Sequence, residues 1–243
     1  MQHKPHATHM KTLYTLLVDN YAPEITRLTF PLLRHYARKI GARFEVIDER
    51  KFPAWPVTYE KFQIFDRAER NGDDWSIYLD ADTLVHPDTP DWTQYLPADT
   101  VAHNGCDFAG LRWRPNKYFK RDGRNIGSCN WNTTASALCR DLWRPSEETD
   151  PAKLVDEIFP VITELNSGLI NPQHLIDDYH CSYNIARHGL KFTTLIELQK
   201  SLGFDPTKSS FYYHEYTIPV AEKAANMEKV LTDNWKIPKS IQG

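Results

Sequence analysis

The sequence predicts an α/β fold with a mixed, mostly parallel central sheet flanked by helices. Two observations carry that expectation. Within the first 85 residues the pattern reads strand, helix, strand, helix, strand, and parallel neighbours in a sheet need such crossovers between them. Each of the three strands also runs into acidic residues: Asp19, Asp48, and Asp80 with Asp82. The carboxyl ends of the strands are where open α/β sheets hold their ligands.

The elements follow in order. Thr12–Val18 is an apolar β-prone run that stops at Asp19-Asn20-Tyr21-Ala22-Pro23, a loop by its turn chemistry. From Glu24 to Ile40, residues Ile25, Leu28, Leu32, Leu33, Tyr36 and Ile40 recur at helical spacing. Pro31 interrupts that pattern, which predicts a kink or two short helices, and Gly41 is the expected stop. Arg43–Ile47 reads as the second strand and Asp48–Pro56 as a loop. Tyr59–Arg70 is an amphipathic helix with Phe62, Phe65 and Ala68 on one face. A loop is expected from Pro87 to Pro97, then a strand over Asp107–Arg114 leading into a basic, aromatic stretch, Arg112–Arg124. Leu175, Tyr179, Ser182 and Ile185 mark a later helix, Ser210–Thr217 a late strand, and Ala221–Lys229 a closing helix of mixed charge.

Composition bounds the rest. A chain of 243 residues with 41% hydrophobic content can build one large domain. We assign it to 11–235, after a disordered leader or cloning remnant at 1–10 and before a frayed tail at 236–243. His3, His6 and His9 fall in that leader, outside any periodic pattern. The net charge of −3 and a pI near 6.4 give no general basic surface for nucleic acid. Mean hydropathy is −0.57 and no apolar run reaches membrane length, so no transmembrane segment is expected. The first ten residues lack the apolar core of a signal peptide. Cys106, Cys129, Cys139 and Cys181 form no Cys-x-x-Cys pair and read as reduced thiols, in keeping with a cytoplasmic protein.

The chemistry concentrates in Trp75-Ser-Ile-Tyr-Leu-Asp-Ala-Asp-Thr-Leu-Val85. Ile77–Leu79 is a short buried strand, and alternate residues on a strand share a face, so Asp80 and Asp82 are expected to point together past small Ala81. Two carboxylates without an obvious cationic neighbour are hard oxygen ligands, an outline of a divalent-metal site. Asp is also a common turn residue, and a solvated turn is the plain alternative.

The helix containing Lys61-Phe-Gln-Ile-Phe-Asp-Arg67, the strand ending in Asp80-Ala-Asp82 and the apolar pair Leu84-Val85 resemble the nucleotide-sugar glycosyltransferases of the GT-A fold, a Rossmann-like class whose mark is the DxD motif. The resemblance spans roughly 11–217. It implies a UDP- or GDP-linked sugar donor, a carbohydrate or other hydroxyl acceptor, and Mn²⁺ or Mg²⁺ as cofactor. It implies a metal set of Asp80, Asp82 and His214, with His180 as the substitute for His214. Asp19, Asn20 and Tyr21 would hold the nucleotide, Tyr21 by stacking on the base, with Lys61 near the diphosphate and Asp80 at the metal or the ribose. Tyr21 as a packing aromatic and Lys61 as a solvated helix lysine are the alternatives. Asp177 and Asp178, at the start of a helix, resemble the acidic position facing the reacting sugar carbon; one of them could instead serve only as a helix cap. Asn130–Ser136 and Asn166–Gly168 both match the small-residue strand lining the donor pocket, and the choice between them stays open.

Two other classes compete. A phosphatase of the haloacid dehalogenase type would use Asp80 as nucleophile and Asp82 as general acid, but its Asp-x-Asp sits on the first strand, and here two strands precede it. A non-catalytic nucleotide- or glycan-binding module on the same fold would bind without turnover.

Overall fold

The computed structural model describes residues 10–104, 131–158, 172–203, 212–213, 218–238 and 241. The strand β1 (Lys11–Leu16) leads through a loop to helix α1 (Pro23–Lys39) and strand β2 (Arg43–Ile47). A buried 3-10 turn (Val57–Gln63) continues into α2 (Ile64–Asn71), and β3 (Trp75–Leu79) follows, buried at every position. Next come β4 (Leu84–Val85), β5 (Thr100–His103), β6 (Trp131–Ala135) and the single turn α3 (Ser136–Cys139). Helices α4 (Pro151–Ile158) and α5 (Pro172–Arg187) precede β7 (Lys191–Thr194) and α6 (Leu195–Ser201). The chain closes with β8 (Tyr212–Tyr213) and α7 (Val220–Lys229).

Six strands form the central sheet in the order β2-β1-β3-β6-β5-β7. β1 is parallel to β2 and β3, β5 is parallel to β7, and β6 runs antiparallel to both of its neighbours. Five strands therefore share one direction, which is the mixed, mostly parallel sheet expected. Period-2 alternation splits the core. Tyr14, Leu16, Tyr78 and Val101 pack with Tyr59, Phe62, Trp143 and Ile176 on one face. Leu13, Ile77, Leu79 and Ala102 pack with Phe30, Leu33 and Tyr36 of α1 on the other. A third cluster joins Ile25 and Leu32 of α1 to Leu84 and to Ala224, Met227 and Leu231 at the carboxyl-terminal helix.

Several expectations change. Helix α1 runs through Pro31 as one element instead of two. The missing proline N–H leaves one helical carbonyl without its bond, and burial of Leu33, Tyr36 and Ala37 against the sheet and of Leu32 against the carboxyl-terminal helix outweighs it. The first strand stops at Leu16, two residues early, because Asp19, Asn20 and Ala22 all take left-handed backbone angles (φ 57°, 52° and 39°). Gly41 (φ 69°) ends α1 as expected. The expected strand over Asp107–Arg114, the basic stretch to Arg124 and the match at Asn166–Gly168 lie outside the described residues. No helix among the described residues is long and apolar enough to cross a membrane.

Candidate functional site

Because β1, β2 and β3 are parallel, their carboxyl ends open on one edge of the sheet, and the start of β6 lies there too, with Trp131 opposite Leu79. β3 ends at Leu79, and Asp80–Thr83 is a turn closed by the Thr83 N–H on the Asp80 carbonyl at 3.1 Å. Asp80 and Asp82 are thus turn residues. The expectation that they share a strand face is corrected, since a turn, unlike a pleated strand, re-aims successive side chains.

Asp80 keeps the parity of Tyr78 and faces the α2 and α5 side. The Tyr78 hydroxyl donates to its Oδ1, and the Lys61 ammonium stands 3.5 Å from the same oxygen. Lys61 also lies 2.6 Å from Asp177 Oδ2 and 4.8 Å from the centre of the Tyr78 ring. It reaches there because Tyr59 and Phe62, its neighbours in the 3-10 turn, are buried in the core and fix the backbone between them. Its side chain is only 2% exposed, so the expected diphosphate lysine is neither solvated nor a loose first-turn residue.

Asp177 comes from the interior of α5, the sixth residue of that helix. Both Asp177 and Asp178 are buried. The helix begins at Pro172, so neither acid caps it, and that alternative is withdrawn. Asp177 is the one that joins Asp80 through Lys61. Asp178 contributes its carbonyl to the Ser182 hydroxyl at 2.9 Å.

Asp82 has a separate set of partners. Its Oδ2 accepts from the Tyr21 hydroxyl at 3.0 Å and from the Lys223 ammonium at 2.6 Å. The turn is also held to α1, where the Thr29 hydroxyl donates to the Ala81 carbonyl at 2.5 Å. The Tyr21 hydroxyl is pushed above its ordinary pKa first by burial, then by the Asp82 charge and hydrogen bond and by the Asp80 charge. It remains a proton donor to the carboxylate. Tyr21 therefore meets the acidic turn through its hydroxyl, while its ring is partly exposed. Asp19, from the same loop, is exposed and lies 3.8 Å from Arg50, and Asn20 is exposed. That loop is strained, since a non-glycine residue at positive φ is costly and such backbone concentrates at ligand sites.

The expectation of carboxylates without cationic neighbours is overturned. Each of Asp80 and Asp82 has a lysine within 3.5 Å, because Lys223 is brought in by a helix 141 residues along the chain. Among the described residues no group of three or more His, Cys, Asp or Glu side chains is placed to hold a metal. His214 lies outside the described residues; β8, which precedes it, pairs with β4, which follows the acidic turn, Leu84 opposite Tyr213. His180, the substitute ligand, belongs to the core. Its Nδ1 lies 2.9 Å from the Tyr59 hydroxyl and its ring stacks on Tyr59 and tilts against Phe62. Burial, then the Arg187 charge, lowers its pKa to about 3.

Two site residues escaped the sequence reading. Tyr78 carried a signal, since period 2 puts it on the face of Asp80. Lys223 carried none, being one lysine in a helix of mixed charge. Of the two small-residue matches, Trp131–Ala135 is a strand of the sheet with Asn132 opposite Tyr78.

No family model matches the chain, and no curated protein does. Among solved structures, it is similar to a glycosyltransferase involved in the glycosylation of the major capsid of PBCV-1, with a TM-score of 0.50 and 14% identity over 90% of this chain and 100% of that one. At that identity the likeness is one of fold.

Proposed function

We propose that the protein is a glycosyltransferase that moves a sugar from a nucleotide-diphosphate sugar to an acceptor hydroxyl. The observation that carries this reading is the convergence of Asp80, Asp82, Lys61, Asp177 and Tyr21 on the carboxyl edge of a mostly parallel sheet, the place where such sheets bind nucleotides. The likeness of fold to a glycosyltransferase agrees with it.

In this reading the loop 19–21 receives the nucleotide. Lys61 offers its ammonium to the diphosphate from its place between Asp177 and Asp80. Asp177, with Asp178 as the second candidate, works at the sugar carbon, either accepting the proton of the acceptor hydroxyl or supporting positive charge that develops on the ring. Asp80 and Asp82, with His214 as third ligand, would hold Mn²⁺ or Mg²⁺. The donor chemistry fits, because hard carboxylate oxygens suit those ions, although the ammonium of Lys223 already occupies Asp82 Oδ2. When bound, the ion supplies Lewis acidity to the leaving diphosphate.

The test is a thermal-shift panel of UDP- and GDP-sugars with Mn²⁺ on the wild type and on Asp82→Ala. A ligand at about 100 times its Kd stabilises by roughly 2.7 kcal/mol, a rise in Tm of roughly 5–10 °C for a chain of this size. The expected result is a rise for one nucleotide class that needs Mn²⁺ and is lost in the variant. Binding without sugar transfer or donor hydrolysis would favour the non-catalytic module. No response, with hydrolysis of a generic phosphate ester, would replace the transferase reading with the phosphatase.

A further inference from the structure

Lys223 is held as firmly as the carboxylate it meets. Its side chain is 8% exposed and that of Asp82 12%. The helix that carries it is packed, with Ala224 and Met227 buried against Ile25 and Leu32 of α1 and Leu84 just past the acidic turn. The ammonium is therefore placed by the fold and not by chance contact of an exposed side chain. A divalent ion on a carboxylate oxygen sits about 2.0–2.1 Å from it for Mg²⁺. An ammonium already 2.6 Å from Asp82 Oδ2 would face that ion at short range, two cations sharing one oxygen in a partly water-excluded site, where repulsion is strong.

We propose that Lys223 and a divalent cation exclude each other at Asp82, so that occupancy of the metal site requires the Lys223 ammonium to withdraw and loosens the first turn of α7. Lys223 is then a positioning residue: it keeps a buried carboxylate neutralised while the ion is away, and it sets how much ion is needed to load the site. The inference rests on the reading of Asp80 and Asp82 as metal ligands.

The experiment measures Mn²⁺ binding directly, from the electron-spin resonance signal of free Mn²⁺, on the full chain as wild type, Lys223→Met, Lys223→Arg and Asp82→Ala. Met keeps the stem and removes the charge; Arg keeps the charge; circular dichroism checks that each is folded. The expected result is that Lys223→Met binds Mn²⁺ on the order of tenfold more tightly than the wild type, that Lys223→Arg does not gain affinity, and that Asp82→Ala loses binding. In the wild type, Mn²⁺ should also increase amide exchange at the start of α7. Equal or weaker binding by Lys223→Met, with Asp82→Ala still losing the ion, would overturn the exclusion and leave the metal site standing. Failure of both the wild type and Lys223→Met to bind would remove the metal site, and the exclusion with it.

Discussion

Lys61 shows what one side chain contributes here. Its ammonium serves two carboxylates, Asp177 at 2.6 Å and Asp80 at 3.5 Å, from a position with almost no solvent contact. Removing one partner of a buried ion pair leaves the other charged and unsolvated, a change that costs far more than the pair itself contributes. Lys61→Met should therefore lower the unfolding free energy by about 3 kcal/mol in urea titrations and abolish the nucleotide-sugar thermal shift. A Lys61→Met protein as stable as the wild type would mean that other groups meet the needs of Asp177 and Asp80. The same logic explains Glu60, fully buried beside it. Its carboxylate accepts the backbone N–H groups of Lys51 and Phe52 at 2.9 Å and the Gln63 amide at 2.8 Å, which ties the loop after β2 to the turn that carries Lys61.

Among the described residues, the junction of β1 and α1 holds three of the four non-glycine positions at positive φ: Asp19, Asn20 and Ala22. Ala22 precedes α1 at φ 39° and ψ 70°, without a side-chain cap on the helix. A left-handed alanine costs roughly 1–2 kcal/mol, a penalty glycine does not incur. Ala22→Gly should raise stability by about 1 kcal/mol, read as a higher midpoint in urea. It should also weaken donor binding, if the rigid loop is what presents Tyr21 to Asp82. β1, α1, β2 and β3 were legible because each is specified by its own periodicity. β5 was not, since Thr100-Val-Ala-His103 is short and takes its identity from β6 and β7 on either side. The reversed direction of β6 was equally hidden, as it depends on partners remote in sequence.

At the scale of the whole molecule, two buried histidines tie stability to pH. His103 and His180 are each 2% exposed, and burial lowers their pKa values to about 4 and about 3 from an ordinary 6.5. Above pH 6.5 both rings are neutral in either state and contribute no slope. As pH falls below 6.5 the unfolded chain takes up protons that the folded chain does not, so stability falls. At pH 5 the loss amounts to about 2 kcal/mol per histidine, which urea midpoints at pH 7.5 and 5 would reveal. His103→Gln, which has no proton to gain, should remove about half of that slope. The carboxylate half of the candidate site was visible in Asp80-Ala-Asp82 and Asp177. Its cationic half was visible only at Lys61, because the approach of Lys223 depends on the tertiary packing of α7 against α1.

The pairing of β4 with β8 has a consequence for synthesis on the ribosome. Leu84 and Val85 meet Tyr213 and Tyr212, and Asp82 meets a lysine 141 residues further on. The amino-terminal half can form β1, α1, β2 and β3 as it emerges, but the acidic turn waits for its partners on that side until β8 and α7 have been made. Contacts of such long sequence separation form late. A nascent chain would thus hold β1, α1, β2 and β3 before it held a finished site, and the arrival of β8 and α7, not the pairing of the first strands, would mark the onset of competence.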